Sequence, residues 1–295
     1  MAARPAAPAL DETALAPGLY VVATPIGNLR DITLRALDVL AAADLVLAED
    51  TRVAGKLLQA YGLSAKLERY DEHGAERTRP KAMAALAAGQ TVALVSDAGT
   101  PLVSDPGYKL VRQAAAEGYA VYPIPGPSAL LAGLSAAGLP TDRFLFAGFP
   151  PPKSAARRSF LEELAPIRST LVFFEGGSRL AASLADMAAV LGGEREAVVC
   201  RELTKLYETF YRGPLGLLAA DPKLDAPKGE IVILIGPGRE IDATAGDIDT
   251  ALADALVRLR PAEAAAEVAK ALGLSRRDVY QRAMAMRAGR KAGRP

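Results

Sequence analysis

Five short segments in the first half of the chain are rich in polar side chains, most of them together with glycine or proline, and each follows an apolar run. Glycine lets the backbone approach a ligand closely and proline fixes a turn, so such segments can form binding loops. They are residues 24–28, 49–52, 71–74, 96–101 and 125–128. Ligands of open parallel α/β sheets bind at the carboxyl ends of the strands. Five such loops on one sheet edge would therefore form a binding site.

The counts of two residue types limit the chemistry of this site. The 295 residues include one cysteine and one histidine. The chain therefore lacks the residues for an intramolecular disulfide, a thiolate zinc cluster or a two-histidine metal site, and we expect no metal. Any cofactor should be organic, and any histidine base must be His73. Neither a dinucleotide G-x-G-x-x-G after the first strand nor a P-loop G-x-x-x-x-G-K-[ST] occurs.

The longest of the five loops belongs to the segment VSDAGTPLVSDPG, residues 95–107. Gly99 allows a close backbone approach, and Asp97 can accept hydrogen bonds from an amine or a ribose. Asp105, before Pro106, fits the N-cap of the next helix, and a role in the site is the alternative.

Short strands alternating with helical segments must position these loops. Apolar and β-branched runs predict one set of strands at 19–26, 44–50, 66–72, 91–97 and 120–125, and a second at 143–149, 170–175, 196–203, 207–212 and 229–236. The pattern is typical of βα units around a mostly parallel sheet, with 207–212 antiparallel.

A turn at 125–127 and a helical period at 128–138 separate the two sets of strands. We therefore expect a disordered leader at 1–16, α/β domains at 17–126 and 127–238, a helical appendage at 239–288 and a basic tail at 289–295. The appendage could contain a helix-turn-helix, with Ser275 as an N-cap. No segment has the length and apolarity of a signal peptide or membrane span, so we expect a cytoplasmic protein.

The net charge of +1, from 35 basic and 34 acidic residues, conceals an asymmetry. From residue 276 to residue 295 there are seven basic residues and one acid, a net charge of +6, and the other 275 residues sum to −5. This terminus predicts an electrostatic contact with RNA. Because the chain has no Trp and 5% aromatic residues, shape and phosphate contacts are favoured over base stacking.

Six segments, in this order and spacing, closely resemble the tetrapyrrole (corrin/porphyrin) methylase superfamily, and in particular its branch that methylates ribosomal RNA. They are TPIGNLRDIT, AEDTR, LVSDAGTPLVSDPG, PGPSALLAGLSAAGLPTDRF, GFPPPK and RELTK. The resemblance runs from about Gly18 to about Pro237 and more loosely through the terminal helices. It implies two α/β domains of the tetrapyrrole methylase type with a small C-terminal helical appendage.

The resemblance also implies a homodimer that binds S-adenosylmethionine between its domains. Such an enzyme would methylate the ribose 2′-hydroxyl of a cytidine in the decoding region of 16S rRNA, as free RNA or within the small ribosomal subunit. Carried over by position, the cofactor site comprises Pro25, Ile26, Gly27, Asp97, Ala98, Gly99, Thr100, Pro101, Gly126, Pro127 and Ser128.

Two groups of residues are candidates for base catalysis and for substrate binding. A histidine such as His73 has a suitable pKa for a base and Glu72 could orient it, although a hydrogen bond from His73 to its own loop is the more common role of such a residue. Lys153, held out by three prolines, is the third catalytic candidate. The substrate candidates are Glu49, Asp50, Arg52, Arg157, Arg158, Arg201, Glu202 and Lys205.

The substrate candidates at 49–52 and 157–158 also have a purely structural interpretation. Glu49, Asp50 and Arg52 would shape the ribose pocket or form an ion pair at its rim. Arg157 and Arg158 oppose the macrodipole at a helix start, which favours phosphate partners over a merely solvated helix face. Residues 201–205 would contact the RNA backbone. Cys200, in an apolar strand, is expected to be buried.

The chain departs from its relatives in one motif. Where they usually have Tyr-Glu-Ser-x-His-Arg, residues 174–179 read Phe-Glu-Gly-Gly-Ser-Arg, so no role of that histidine transfers here. Gly74 also stands where an Asn often follows Glu-His. Two other functions stay open, a methylase acting on a tetrapyrrole, and a nucleic-acid-binding regulator without methyl transfer. The basic terminus and the AEDTR, GFPPPK and RELTK segments favour RNA over a tetrapyrrole.

Overall fold

The computed structural model describes residues 10–11, 14–72, 74–238, 245–272 and 276–292. They form two compact units, one within 1–162 and 168–237 and the other within 163–167 and 238–295. Both sheets of the protein belong to the first unit, so the division into domains at 17–126 and 127–238 stays a prediction.

The first sheet has five parallel strands in the order β3-β2-β4-β1-β5. The elements are β1 (Gly18–Val22), α1 (Leu34–Ala42), β2 (Leu45–Ala48), α2 (Thr51–Ala60), β3 (Leu67–Arg69), α3 (Ala75–Ala87), β4 (Thr91–Val95), α4 (Tyr108–Ala116) and β5 (Val121–Ile124). The chain leaves β1 toward β2 and leaves β4 toward β5, which are opposite directions across the sheet. Such a reversal opens a crevice at the carboxyl ends of two neighbouring strands.

Helices cover both faces of the first sheet because successive strand residues point to opposite sides. Tyr20 packs in a core with α1 and α2, which supply Val39 and Leu58. Leu19, its neighbour in sequence, packs in a second core with α3 and α4. Burial on both faces accounts for the nearly continuous apolar sequence of these strands.

The second sheet has the order β6-β7-β10-β8-β9. Its elements are α5 (Ala129–Ala137), β6 (Phe144–Phe146), α6 (Ser154–Leu164), β7 (Thr170–Gly176), α7 (Leu180–Leu191), β8 (Glu196–Arg201), β9 (Thr209–Pro214), α8 (Leu215–Ala219) and β10 (Glu230–Ile235). The expectation of mostly parallel strands is wrong here, since β6 and β7 alone are parallel and every other pair is antiparallel. The β8–β9 connection is too short for the crossover that parallel strands need.

The core of the second sheet lies against α5. Leu134 of α5 packs with Val198 and Val232, and Ile26 from the first half of the chain joins the same cluster. Cys200 belongs to this core and is fully buried from solvent, as expected. Burial raises the pKa of its thiol to about 12, so Cys200 is a packing residue and not a nucleophile.

From residue 245 onward, the described residues of the second unit form three helices, α9 (Ala245–Arg258), α10 (Pro261–Leu272) and α11 (Arg276–Ala292). They have their own apolar core, in which Leu252, Val268 and Val279 represent the three helices. The helical prediction for this part of the chain is confirmed. Ser275 and most of the predicted leader lie outside the described residues.

Each of the ten predicted strands overlaps an observed strand. The described part of the chain contains no helix that is both long and apolar enough to span a membrane.

Candidate functional site

The loops that follow β1 and β4 are joined by two reciprocal backbone hydrogen bonds. The N–H of Thr24 donates to the carbonyl of Gly99 at 2.8 Å, and the N–H of Gly99 donates to the carbonyl of Thr24 at 2.9 Å. The Thr24 hydroxyl also donates to the carbonyl of Ser96 at 3.2 Å. Gly99 has a φ of +83°, a conformation that suits glycine, and a Cβ there would contact Ile26.

The loop after β5 joins the same structure. The Thr100 hydroxyl donates to the carbonyl of Pro127 at 3.1 Å. The Ser128 side chain caps α5 by accepting from the N–H of Leu131 at 3.4 Å. The structure therefore brings the three predicted cofactor segments together at one edge of the first sheet.

A cleft of about 300 Å³, here called the first cleft, lies between these loops and the second sheet. Its volume is at the lower end of the range for small-molecule sites. It is lined by Ile26, Glu49, Asp97, Ala98, Gly99, Thr100, Val103, Ser104, Asp105, Ser128, Ala129, Phe149, Phe174, Glu175, Leu203, Glu230, Ile231 and Val232.

The first cleft contains six of the eleven predicted cofactor residues. These are Ile26, Asp97, Ala98, Gly99, Thr100 and Ser128. A second cleft, of about 430 Å³, contains Pro25 and Gly27 together with Asp97. Pro101, Gly126 and Pro127 line neither of these clefts, although Pro127 supports Thr100 as described above.

The first cleft is acidic. Among the described residues that line it, five are acids and none is basic. Burial raises the pKa of Glu49 above its usual value, and the nearby charges of Asp97 and Asp105 raise it further. Burial likewise raises the pKa of Asp105, with Asp97 adding to the effect. An acidic, partly desolvated cleft favours a cationic ligand.

Asp105 is not the helix cap that the sequence suggested. Helix α4 begins at Tyr108, and its N-cap is Gly107, at a φ of +136°. Asp105 instead hydrogen-bonds to Ser96 and lines the first cleft. The turn at Gly107 separates Asp105 from the helix, so the Asp-Pro signal for a cap was misleading.

Glu175 is a cleft residue that the sequence analysis missed. Its carboxylate pairs with Arg179 at 2.5 Å and accepts a hydrogen bond from the Ser183 hydroxyl at 2.5 Å. Two residues later, a Cβ on Gly177 would lie 1.7 Å from the carbonyl oxygen of Pro227. Glycine is therefore the residue that fits at 177, the variable position of this motif, whereas a Cβ on Gly176 would meet no atom within 4 Å.

The RELTK segment reaches the first half of the chain through Lys205. Its ammonium group pairs with Glu202 at 2.8 Å and with Glu230 at 3.0 Å, and its alkyl chain lies against Gly27. The Arg201 guanidinium donates to the carbonyl of Lys228 at 2.7 Å. Protein partners thus already engage the polar groups of residues 201, 202 and 205, and their contact with RNA stays a prediction.

Asp50 and Arg52 form the ion pair that was the alternative to a substrate role. The Arg52 guanidinium lies 2.5 Å from an Asp50 carboxylate oxygen, and its hydrogen bonds hold the pKa of Asp50 well below the usual range. Asp50 also caps α2, and its N–H donates to the Asp97 carboxylate at 2.9 Å. The hydrogen bond from Asp50 to Asp97 connects the loops after β2 and β4.

The expectation that Arg157 binds phosphate is wrong, because its side chain is 4% exposed. Its guanidinium pairs with Asp186 at 2.7 Å and donates to the carbonyls of Pro151 and Pro152. This buried ion pair joins α6 to α7, so the charge of Arg157 has a structural role. Arg158 lies on the surface, so it still has a side chain available for RNA.

The predicted catalytic residues are not assembled by the described part of the chain. His73 lies outside the described residues. Glu72 and Lys153 are exposed and line neither cleft. Asp71, which precedes Glu72, is close enough to Glu49 to contribute to the raised pKa of Glu49. Asp71 therefore lies in the neighbourhood of Glu49, which lines the acidic cleft.

Comparison with known proteins agrees with this arrangement of two sheets and a cleft. A family profile described as Tetrapyrrole (Corrin/Porphyrin) Methylases matches residues 18–219, and the chain belongs to this family of methyltransferases. A second profile, described as RsmI C-terminal HTH domain, matches residues 242–287.

Relatives of similar length place the chain more narrowly within the family. It is 52% identical to Ribosomal RNA small subunit methyltransferase I of Mesorhizobium japonicum, over 92% of this chain and 93% of that protein. It is 46% identical to the protein of the same name from Escherichia coli O157:H7, over 90% and 94% of the two chains. The chain is thus a member of the ribosomal RNA small subunit methyltransferase I group.

Two solved structures share the fold at low sequence identity. One is the cobalamin biosynthetic enzyme cobalt precorrin-4 methyltransferase, with a TM-score of 0.56, 18% identity, and coverage of 74% of this chain and 94% of that one. The other is the methyltransferase CobJ, with a TM-score of 0.57, 19% identity, and coverage of 76% and 95%. At this identity the likeness concerns the fold alone.

Proposed function

We propose that this protein transfers a methyl group from S-adenosylmethionine to the ribose 2′-hydroxyl of a cytidine in the decoding region of small-subunit rRNA. The observation that carries the proposal is the first cleft, an acidic small-molecule site built from the loops after β1, β2, β4 and β5. Its relatives are named as methyltransferases of small-subunit ribosomal RNA. The homodimer and a cytoplasmic location belong to the same proposal.

The residues of the first cleft fit S-adenosylmethionine. The cofactor carries a sulfonium and an ammonium cation, which complement the carboxylates of Glu49, Asp97 and Asp105. Residues 97–100 and Ser128 would hold it, largely through backbone groups that Gly99 leaves accessible. When bound, it would supply an electrophilic methyl carbon for transfer to the ribose oxygen, with its sulfur as the leaving group, and the protein would have to take up the hydroxyl proton.

The protein contributes mainly by holding two reactants in line, which can lower a barrier by about 7–11 kcal/mol. The reciprocal hydrogen bonds between Thr24 and Gly99 fix the loops after β1 and β4 to each other at this edge of the cleft. A general base would add a factor of roughly 10² to 10⁴. We keep His73, with Glu72 and Lys153, as proposed catalytic residues, and we add Glu49. Its carboxyl lies in the cleft with a raised pKa.

RNA binding is assigned to exposed basic side chains. Arg158 and Lys153 are exposed beside the second sheet. In the helical unit, Arg276, Arg277 and Arg287 are exposed on α11. The match of this unit to an HTH profile supports a nucleic-acid contact.

The test uses cofactor labelled in the methyl group and small-subunit RNA, both free and in assembled particles, from cells lacking the relevant methylation. We expect label in the ribose of one cytidine. Because its 2′-hydroxyl is then methylated, the phosphodiester bond that follows this cytidine should resist alkaline cleavage. His73→Ala or Glu49→Gln should lower kcat by roughly 10² or more if that residue is the base. Lys223→Ala, on the surface, is the control. Label in a tetrapyrrole precursor but not in RNA would overturn the proposal, as would RNA binding without transfer.

A further inference from the structure

The second cleft lies beside the first and has a different character. Its walls are largely apolar, formed by Leu29, Val53, Ala54, Leu57 and Val95, and polar groups of Thr24, Ser96 and Asp97 join them. Helix α2 supplies one wall, because Val53, Lys56 and Leu57 have the spacing that places residues on one helix face. Leu29 and Val53 are each 38% exposed, so apolar surface is open to solvent at this cleft.

The charges of the two clefts are also different. The described lining of the first cleft has five acids and no base, whereas that of the second has Lys56 and the single acid Asp97. In the part of the chain that the structure describes, Lys56 has no acidic partner within ion-pair distance. Arg30, next to the wall residue Leu29, has none either. The second cleft is therefore neutral in its described lining, with Arg30 beside it, and opposes an anionic ligand less than the first cleft does.

Asp97 connects the two clefts, since it lines both. Its carboxylate is held by the N–H of Asp50 at 2.9 Å, which fixes it at the junction. A ligand in the second cleft would therefore meet the contents of the first cleft at the Asp97 side chain. Two reactants that must exchange a group need an arrangement of this kind.

We propose that the second cleft binds the target nucleotide of the RNA, an inference that rests on the proposed function. The apolar walls would contact the base of a nucleotide splayed out of the RNA, and Lys56 would contact its phosphate. Its sugar would then lie toward Asp97. Single-stranded or splayed nucleotides are the usual targets of specific RNA recognition. The volume of about 430 Å³ is within the range of sites for ligands of this size.

Filling the cleft tests the inference directly. Val53→Trp places a large ring at the mouth, and we expect at least a tenfold rise in both the Kd for small-subunit RNA and the KM for RNA. The Kd for S-adenosylmethionine, measured by calorimetry, should stay within about twofold of the wild-type value. The loss of an interaction worth about 1.4 kcal/mol would instead change this Kd tenfold. Leu217→Trp is the matched control, because Leu217 is 69% exposed and lies on α8, away from the lining of both clefts.

A charge reversal gives a second variant that does not depend on packing. Lys56→Glu should weaken RNA binding and reduce the slope of log Kd against log salt by about one. Lys66→Glu, an exposed lysine outside the lining of both clefts, is the control and should leave binding and slope at the wild-type values. RNA binding is measured with S-adenosylhomocysteine present, so that it does not depend on turnover.

The outcomes separate this inference from the proposed function. If the wild-type protein methylates the RNA and both cleft variants match it, the inference alone is wrong. If Val53→Trp loses affinity for the cofactor, the second cleft belongs to the cofactor site and the inference is again wrong. If the wild-type protein neither binds nor methylates the RNA, both proposals fall.

Discussion

The alkyl chain of Lys205 lies so close to Gly27 that a Cβ on Gly27 would be 2.3 Å from the Lys205 Cγ atom. Gly27 belongs to the loop after β1 and Lys205 to the loop after β8, so this contact joins the two sheets of the first unit. The ammonium group of Lys205 is held on the far side by Glu202 and Glu230. Since Glu230 and Leu203 line the first cleft, the position of Lys205 helps to set the shape of that cleft.

Gly27→Ala should therefore displace Lys205 and widen or distort the first cleft. We expect the affinity for S-adenosylmethionine to fall about tenfold, which is the loss of roughly 1.4 kcal/mol, measured by calorimetry. Gly55→Ala is the control, because a Cβ there would meet only Leu67 at 3.8 Å and alanine favours the helix. Equal cofactor affinity of the Gly27 variant and the wild-type protein would contradict the role given to this contact.

Arg157 and Arg158 are adjacent in sequence but should respond to substitution in opposite ways. Arg157→Ala removes the close ion-pair partner of the buried Asp186, which keeps the Ser154 hydroxyl and, at 4.0 Å, Arg158. We expect a loss of about 3 kcal/mol in the free energy of unfolding, the lower end of the range for breaking a buried pair. Arg158→Ala removes an exposed side chain and should change stability by less than about 0.5 kcal/mol.

The measurement is urea unfolding of both variants, together with their RNA affinity. Arg158→Ala should weaken RNA binding, whereas a folded Arg157 variant such as Arg157→Lys should bind RNA as the wild-type protein does. Weaker RNA binding by a folded Arg157 variant would contradict the purely structural role that is given to Arg157.

The presence of the strands was predictable from the sequence because burial imposes apolar residues on them. The residues at which the strands end were not predictable. The prediction for the first strand ran to Ile26, four residues past the end of β1. Ile26 is apolar because it packs in the core of the second sheet and lines the first cleft, and not because it continues the strand. Residues of the binding edge therefore resembled strand residues in their composition.

The first-sheet half of the candidate site was also predictable, since its loops follow strands that are adjacent in a parallel sheet. The second-sheet half was not. Glu175 is the last residue but one of β7 and Glu230 begins β10, and these two strands are antiparallel neighbours. Neither residue follows a strand in the way that signals a binding loop, and only the pairing of β7 with β10 brings the two carboxylates to one cleft.

Glu49 should contribute measurably to the change in the free energy of unfolding with pH. Burial and the charges of Asp97 and Asp105 raise the pKa of Glu49 in the folded protein above 4.5, its ordinary value. The folded state then holds the proton more tightly than the unfolded state, so stability is lost as the pH rises through the raised pKa. Glu49→Gln removes this loss, so the variant should gain stability relative to the wild-type protein above that window.

Urea unfolding between about pH 4 and about pH 8 measures this difference, which should be larger at the upper end. Glu162→Gln, an exposed acid on α6, is the control and should follow the wild-type curve. A stability difference between Glu49→Gln and the wild-type protein that does not change with pH would contradict the assignment.

The exposed arginines of α11 give the sharpest test of RNA binding by the helical unit. Deleting residues 276–295 would also remove Val279 and Ala283 from the core of this unit, so a loss of binding would not be informative. Replacing Arg276, Arg277 and Arg287 with alanine keeps that core.

If each of these three arginines contacts one phosphate, the slope of log Kd against log salt should fall by about two to three, and affinity at low salt should fall with it. Arg282→Ala is the contrasting variant. Its guanidinium pairs with Asp249 at 2.6 Å, so its loss should lower the stability of the helical unit and have a smaller effect on the salt slope. Filter retention of small-subunit RNA over a range of salt concentrations measures both slopes. An unchanged slope for the triple variant would mean that the basic terminus does not bind phosphate, and that the RNA affinity must reside in the two-sheet unit.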